Sequence, residues 1–257
     1  MALKLNNSRV LISNDDGISA PGLKILERII KPLFKEVWVV APETEQSASS
    51  HSLTLRRPLR IRKISKQRFG VNGTPADSVL LGVSEVMNQC QPDIILSGIN
   101  RGGNIGEDVI YSGTVAAARE GALLGIPSIA FSQVSSNNRF IRWATAEYWL
   151  PIVLKQLAKV DFPINALMNV NFPSLEANAV TGIEITRQGR RKIGGDLTLG
   201  TDPRGKQYYW IGPQRKENQD VKGTDLEAVV RGAISITPLT TDLTHSTSLK
   251  KLKAAFK

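Results

Sequence analysis

Cysteine is nearly absent: Cys90 is the only one in 257 residues, which excludes an internal disulfide framework and fits a reducing compartment. Histidine is almost as scarce, with His51 and His245 alone, so no zinc site of the Cys/His kind can be assembled. Aromatic residues make up only 6% of the chain. No RRM-type aromatic motif or zinc knuckle accompanies its positive charge. No apolar run approaches a membrane span, and Met1 to Asn7 lacks the apolar core of a signal peptide. A cytoplasmic protein without a membrane partner is the expectation.

What is present is ordinary globular composition, 41% apolar and 22% charged, in a chain long enough for one large domain. The charge is lopsided: 33 Lys+Arg against 23 Asp+Glu, a formal +10. Much of the excess lies in two runs, Arg56, Arg57, Arg60, Arg62, Lys63, Lys66 and Arg68, then Arg187, Arg190, Arg191 and Lys192. A solvated basic face explains either run. A surface for nucleic acid or a phosphorylated substrate is the sharper reading.

The chain is organised around its first apolar run. Val10 to Ile12 reads as a buried strand that ends in Asn14, Asp15, Asp16 and Gly17, and a helical pattern of Leu23, Leu26, Ile29, Ile30 and Leu33 follows, to about Phe34. Strand, acidic loop and helix in that order put two adjacent carboxylates at the carboxyl end of a strand, where open α/β sheets hold ligands. Adjacent carboxylates repel unless a cation joins them, and a hard ion such as Mg²⁺ or Mn²⁺ suits oxygen donors. A polar turn with a helix cap is the plainer alternative.

Further strands are expected at Val37 to Val40, at Leu53 to Ile61 (an edge strand broken by Pro58), at Asp93 to Ser97, at Pro127 to Ser132 and at Leu167 to Phe172. Helices are expected over Ala76 to Asn88, Val115 to Leu124 and Asn138 to Lys159, and a glycine-rich loop over Gly98 to Gly106. Strands alternating with helices predict a doubly wound, mostly parallel α/β sheet over about residues 1–175. Residues 176–257, with Gly189, Gly194, Gly195, Gly200, Gly205 and Gly212 around Tyr208 to Trp210, read as extended hairpins and a basic tail within the same single domain, 1–257. Within them Val180 to Thr186 and Ala233 to Thr237 are strand-like, Thr224 to Val230 a short capped helix.

Three loops after strand ends, Asn14 to Gly17, the one bearing Ser47, and Gly98 to Asn104, can converge at a switch point. Beside them Ser112, Gly113 and Thr114 open a helix whose N–H groups can hold an anion. A divalent ion next to a helix start is apparatus for phosphoryl chemistry. Neither a Gly-x-Gly-x-x-Gly nor a P-loop pattern occurs, and neither Ser47 nor Ser112 sits in a nucleophile elbow.

Five ordered motifs closely resemble the SurE family of survival-protein nucleotidases: Ser13 to Gly17; Ala41 and Pro42 with Ser47; Val71 to Asp77; Ser97 to Asn104; and Val109 to Ala118. The resemblance implies a divalent-metal-dependent phosphatase acting on nucleoside 5′- and 3′-monophosphates, with short polyphosphate a further substrate. It implies metal ligands at Asp15, Asp16, Ser47 and Asn100, with Asp15, Asp16 and Asn100 catalytic, and a phosphate pocket of Asn104, Ser112, Gly113 and Thr114. It also implies a homodimer or homotetramer formed through a C-terminal hairpin. Two features depart from the family pattern: the more acidic stretch Glu43 to Gln46, and Asp242 with His245, whose altered spacing leaves them unassigned. The competing reading is a basic RNA-binding module on an α/β scaffold, without turnover.

Overall fold

The computed structural model describes residues 3–135, 141–193, 197–212, 215–217 and 221–256. Residues 138–140, Gly194, Gly195 and Lys257, which entered the sequence reading, lie outside them.

The strands are β1 (Arg9–Ser13), β2 (Glu36–Pro42), β3 (Ile61–Ser65), β4 (Arg68–Val71), β5 (Ile94–Arg101), β6 (Ser128–Gln133), β7 (Ala166–Phe172), β8 (Ile183–Ile185), β9 (Arg191–Ile193), β10 (Leu197–Thr201), β11 (Gln207–Ile211), β12 (Arg215–Glu217) and β13 (Ile234–Thr240). The helices are α1 (Pro21–Ile30), α2 (Pro75–Leu81), α3 (Asp108–Tyr111), α4 (Gly113–Leu123), α5 (Trp143–Leu157), α6 (Asp225–Val230) and α7 (Ser246–Ala255). Nine strands form one sheet in the order β3-β4-β2-β1-β5-β6-β7-β13-β8. Strands β4, β2, β1, β5, β6 and β7 run parallel, while β3 and β13 are each antiparallel to their inner neighbour. The α/β doubly wound class is therefore borne out.

Period-two alternation on a sheet covered on both sides explains the unbroken apolar runs. Val10 and Ile12 of β1 face one core, with Leu23, Leu26 and Ile30 of α1 and Leu150, Val153 and Leu154 of α5. Leu11, between them, faces the other core with Val79 of α2 and Ala117 of α4. Residue 95 repeats the pattern on β5, Ile94 and Leu96 on one side and Ile95 on the other.

The chain leaves β1 toward β2 on one side, and the later parallel strands build outward from β5 on the other. The crevice between β1 and β5 is thus the switch point, and the register Ser13↔Ser97 sets Asn14 to Gly17 alongside Gly98 to Arg101.

Several expectations change. Of the Leu53 to Ile61 alternation only Ile61 enters a ladder, as the first residue of β3; Leu55 is 85% exposed, and the edge strand is β3, exposed throughout. Strand β4 occupies Arg68–Val71, a stretch to which the sequence pattern assigns no element. Helix α1 stops at Ile30 and α2 at Leu81, where a π-helical turn over Gly82–Val86 takes over. The stretch expected to be a loop after Ser97 continues as strand to Arg101 through a register shift. Gly98 permits it: its φ is +126°, and a Cβ there would meet the Phe131 carbonyl oxygen at 2.3 Å. In the C-terminal third, β8 and β13 join the central sheet, whereas β10–β11 and β12–β9 are separate antiparallel pairs. Among the described residues no helix is long and apolar enough to cross a membrane.

Candidate active site

A cleft of about 500 Å³ opens at the β1–β5 switch point. Six of the eight residues expected in a site line it together: Asp15, Asp16, Ser47, Asn100, Asn104 and Ser112.

Asp15 is 5% exposed. The Thr114 hydroxyl donates to its Oδ1, and the Thr114 backbone also hydrogen-bonds to the carboxylate. Burial raises its pKa to about 6 despite those bonds, and the neighbouring charge of Asp16 adds to the rise. The Oδ2 of Asp16 accepts from the backbone N–H of Arg101 at 3.2 Å, which fixes it beside Asn100. Burial raises Asp16 as well, and the Glu45 carboxylate adds to the rise against that Arg101 bond. The Asn14 amide donates to the Gly17 carbonyl at 2.9 Å and closes the turn that presents both acids.

Ser47 reaches the cleft on a loop tied down at several points. Gln46 N–H donates to the Asp15 carbonyl at 2.8 Å, and Ser50 bonds the Tyr111 and Ile110 carbonyls. His51 Nε2 lies 2.7 Å from Glu120 Oε2. The Ser47 hydroxyl itself donates to Glu45 Oε1 at 2.8 Å. The Asn100 amide donates to the Gly102 carbonyl at 2.9 Å. Asn104 is anchored to the sheet: its N–H donates to Asn171 Oδ1 at 2.8 Å and its amide to Ser132 Oγ at 2.8 Å. The Ser112 hydroxyl caps α4 by accepting from Val115 N–H at 3.0 Å.

Gly113 and Thr114 do not line the cleft. Thr114 is fully buried, and its hydroxyl serves Asp15. Gly113 is the close approach behind that acid, since a Cβ on it would stand 2.6 Å from the Asp15 Cβ. The start of α4 thus holds a carboxylate of this chain in the place expected for a phosphate. His245 is bonded to Ser248 at 2.6 Å and is not a lining residue.

The far wall comes from residues outside the five motifs: Asp108, Arg191, Leu226 and Val229 line it, with Arg191 Nε 3.4 Å from Asp108 Oδ2. Only the charge of Arg191 and the capped-helix signal of Thr224 marked this region beforehand. The first basic run is partly neutralised within the chain, through Arg62 with Glu43 at 2.5 Å and Arg68 with Glu27.

No group of three His, Cys, Asp or Glu side chains among the described residues could hold a metal. The donor set nevertheless fits a hard divalent ion. The buried carboxylate of Asp15 and the half-buried one of Asp16, both with raised pKa values, leave negative charge that a cation would relieve. A hydroxyl and an amide oxygen share their cleft, and waters complete such shells.

Fold and cleft together define a doubly wound α/β protein with an acidic, oxygen-lined ligand site at its topological switch point. The sequence profile of the family described as survival protein SurE matches residues 10–195. The 5′-nucleotidase SurE of Paramagnetospirillum magneticum is 60% identical over 248 residues, covering 96% of this chain and 95% of its own length. The protein of the same name from Rhodospirillum rubrum is 50% identical over 255 residues, 98% of this chain and 97% of its own. The crystal structure of the SurE protein from Aquifex aeolicus matches with a TM-score of 0.84 at 40% identity, covering 97% of this chain and 100% of that one. The chain belongs to the SurE family, as its five motifs imply.

Proposed function

We propose that this protein is a divalent-metal-dependent 5′-nucleotidase that also accepts 3′-monophosphates and short polyphosphate. The observation that carries the proposal is the pair Asp15 and Asp16, both drawn out of solvent and held by Thr114 and the Arg101 N–H over a cleft shared with Ser47 and Asn100. The names of the full-length relatives, 5′-nucleotidase SurE, support the substrate class.

Asp15, Asp16, Ser47 and Asn100 would hold the ion. When bound, Mg²⁺ or Mn²⁺ neutralises phosphoryl charge and acidifies a water. The chain's own residues do the rest. Thr114 fixes Asp15 in one orientation, and the turn from Asn14 to Gly17 fixes Asp16 beside Asn100. The Ser112 oxygen accepts from Val115 N–H, which leaves its O–H free to donate to a phosphate oxygen, and Asn104 supplies a second polar group on the same side. Hydrolysis forms a P–O bond to water and breaks the ester P–O bond, and a proton passes to the departing sugar oxygen. Asp15, Asp16 and Asn100 are the catalytic set. Asn104 and Ser112 contact phosphate, with Gly113 and Thr114 behind Asp15.

The β10–β11 pair supports a homo-oligomer formed through it, because Trp210 and Ile211 are 67% and 72% exposed. The single cysteine supports a cytoplasmic setting.

The test is phosphate release from AMP and from an aryl phosphate, with Mn²⁺ and then with excess chelator. Chelator-sensitive release is expected, lost in Asp15→Asn and Asp16→Asn. Absence of release together with salt-sensitive RNA binding would instead establish the basic-module reading.

A further inference from the structure

Asp225 is fully buried, opens α6 and lines no part of the cleft, yet its carboxylate ties three separate segments together. Oδ2 accepts from Gly106 N–H at 2.9 Å. Oδ1 accepts from Gly189 N–H at 2.7 Å and from Leu226 N–H at 2.9 Å. Gly106 lies two residues past Asn104, on the strip of chain that forms the cleft wall. Gly189 lies at the root of the excursion that carries β9 to β12. The same junction is reinforced by the Gln188 amide, which donates to the Gly106 carbonyl at 2.9 Å. Beyond it, Arg191 N–H donates to the Glu107 carboxylate.

Three converging N–H groups demand an acceptor-only side chain, which an ionised carboxylate is and an amide is not. On its other side Asn104 is pinned to the sheet, its carbonyl accepting from the Asn169 and Asn171 amides at 2.7 and 3.1 Å. The strip from Asn104 to Asp108 is therefore held at two ends, by β7 at one and by Asp225 at the other. Ile105, between them, packs on Leu226 and Val229 of the helix that Asp225 opens.

We propose that Asp225 is a positioning residue for the cleft, clamping the strip that carries Asn104 and Asp108 to the root of the β9–β12 excursion. Its bearing on turnover rests on the nucleotidase reading; its bearing on the strip does not.

Asp225→Asn keeps the volume and replaces one acceptor oxygen with a donor. Retaining the two bonds of Oδ1 turns the new NH₂ against Gly106 N–H. In the full-length protein, hydrogen–deuterium exchange over residues 102–111 is expected to quicken about tenfold, as for a lost bond at a buried donor, while α1 exchanges as before. The kcat/KM for AMP is expected to fall about tenfold, the usual scale for a residue that orients others. In the double variant with Asn104→Ala, the further loss beyond Asn104→Ala alone is expected to stay within about threefold, because both act through one strip.

Exchange at the wild-type rate overturns the proposal, as does quickened exchange with wild-type kcat/KM, or losses that multiply. Should Asp225→Asn not fold, Gln188→Ala decides by the same measurements: about threefold changes in both support the clamp, and wild-type values in both overturn it. Absence of phosphate release by the wild-type protein would sink the nucleotidase reading, and the exchange measurement would still decide whether Asp225 holds the strip.

Discussion

The Thr114 hydroxyl donates a hydrogen bond to the carboxylate of Asp15, ninety-nine positions earlier, at a place where neither side chain has more than a sliver of exposure. This bond stabilises the ionised form of an acid that burial pushes toward neutrality. Thr114→Val keeps the shape and deletes the donor. The variant is expected to lose 10- to 100-fold in metal affinity or turnover, on the order of what supporting partners contribute at such sites. Its stability should fall by about 1–2 kcal/mol. Thr114→Ser should retain most of both. Equal kcat/KM for Val and wild type, at matched Mn²⁺, would refute the role.

The acid pair was legible because two carboxylates immediately after an apolar run have few structural uses. Asn100 is legible through the family resemblance, which implies it as a ligand; the residues alone show only a polar, glycine-rich loop after the apolar run ending at Ser97. A helix start predicts a phosphate ligand at Thr114; the anion its hydroxyl meets is Asp15, a long-range pairing that no local pattern encodes. Asp225 was hidden for the same reason. After Thr224 it reads as an ordinary first-turn acid, and its partner Gly106 is 119 positions away. The alternation of Leu53 to Ile61 misled because alternation signals a buried face, whereas here Leu53 and Leu55 are exposed and no strand pairs with them.

Asp15 also makes the metal-free protein sensitive to pH. Its folded pKa is raised, from 3.8 to about 6, so between those values the folded state holds more protons than the unfolded state. Stability from this group is therefore fully present below pH 3.8 and is lost as pH climbs through about 6. Asp16 and Asp225, both raised by burial, act in the same direction. With chelator present, Asp15→Asn should be more stable than wild type at pH 7.5 by about 1–3 kcal/mol, with the difference vanishing near pH 4. Urea unfolding at the two values checks this; a variant less stable at both would contradict the assignment of a charged, buried Asp15.

His51 and Glu120 hold the Ser47 loop from behind, with Nε2 and Oε2 2.7 Å apart and both side chains mostly shielded. His51→Ala should leave the sheet intact and cost about 1 kcal/mol of stability, the scale of one hydrogen bond. Turnover should fall roughly 10-fold through a weaker hold on Mn²⁺. Raising Mn²⁺ should recover most of the loss if Ser47 is a ligand. A loss that excess Mn²⁺ does not touch would show that the loop acts on the phosphate instead.

Gly113 sits where any side chain must collide with the site. A Cβ would stand 2.6 Å from the Asp15 Cβ and 3.0 Å from Pro75 Cγ, and neither neighbour can retreat. Pro75 begins α2, which Thr74 and Asp77 cap reciprocally, and Asp15 is locked by Thr114. Gly113→Ala is therefore expected to destabilise by about 1–3 kcal/mol, as overpacking does. It should also displace Asp15 enough to lower kcat/KM by about 100-fold, since small misplacements near reacting groups carry that penalty. In the helix interior the same change would be favourable, so the sign separates crowding from propensity. Thermal unfolding and AMP turnover measured on one preparation decide it. A stabilised, fully active Gly113→Ala would mean that Asp15 has room to move and that its fixed position is not what the site depends on.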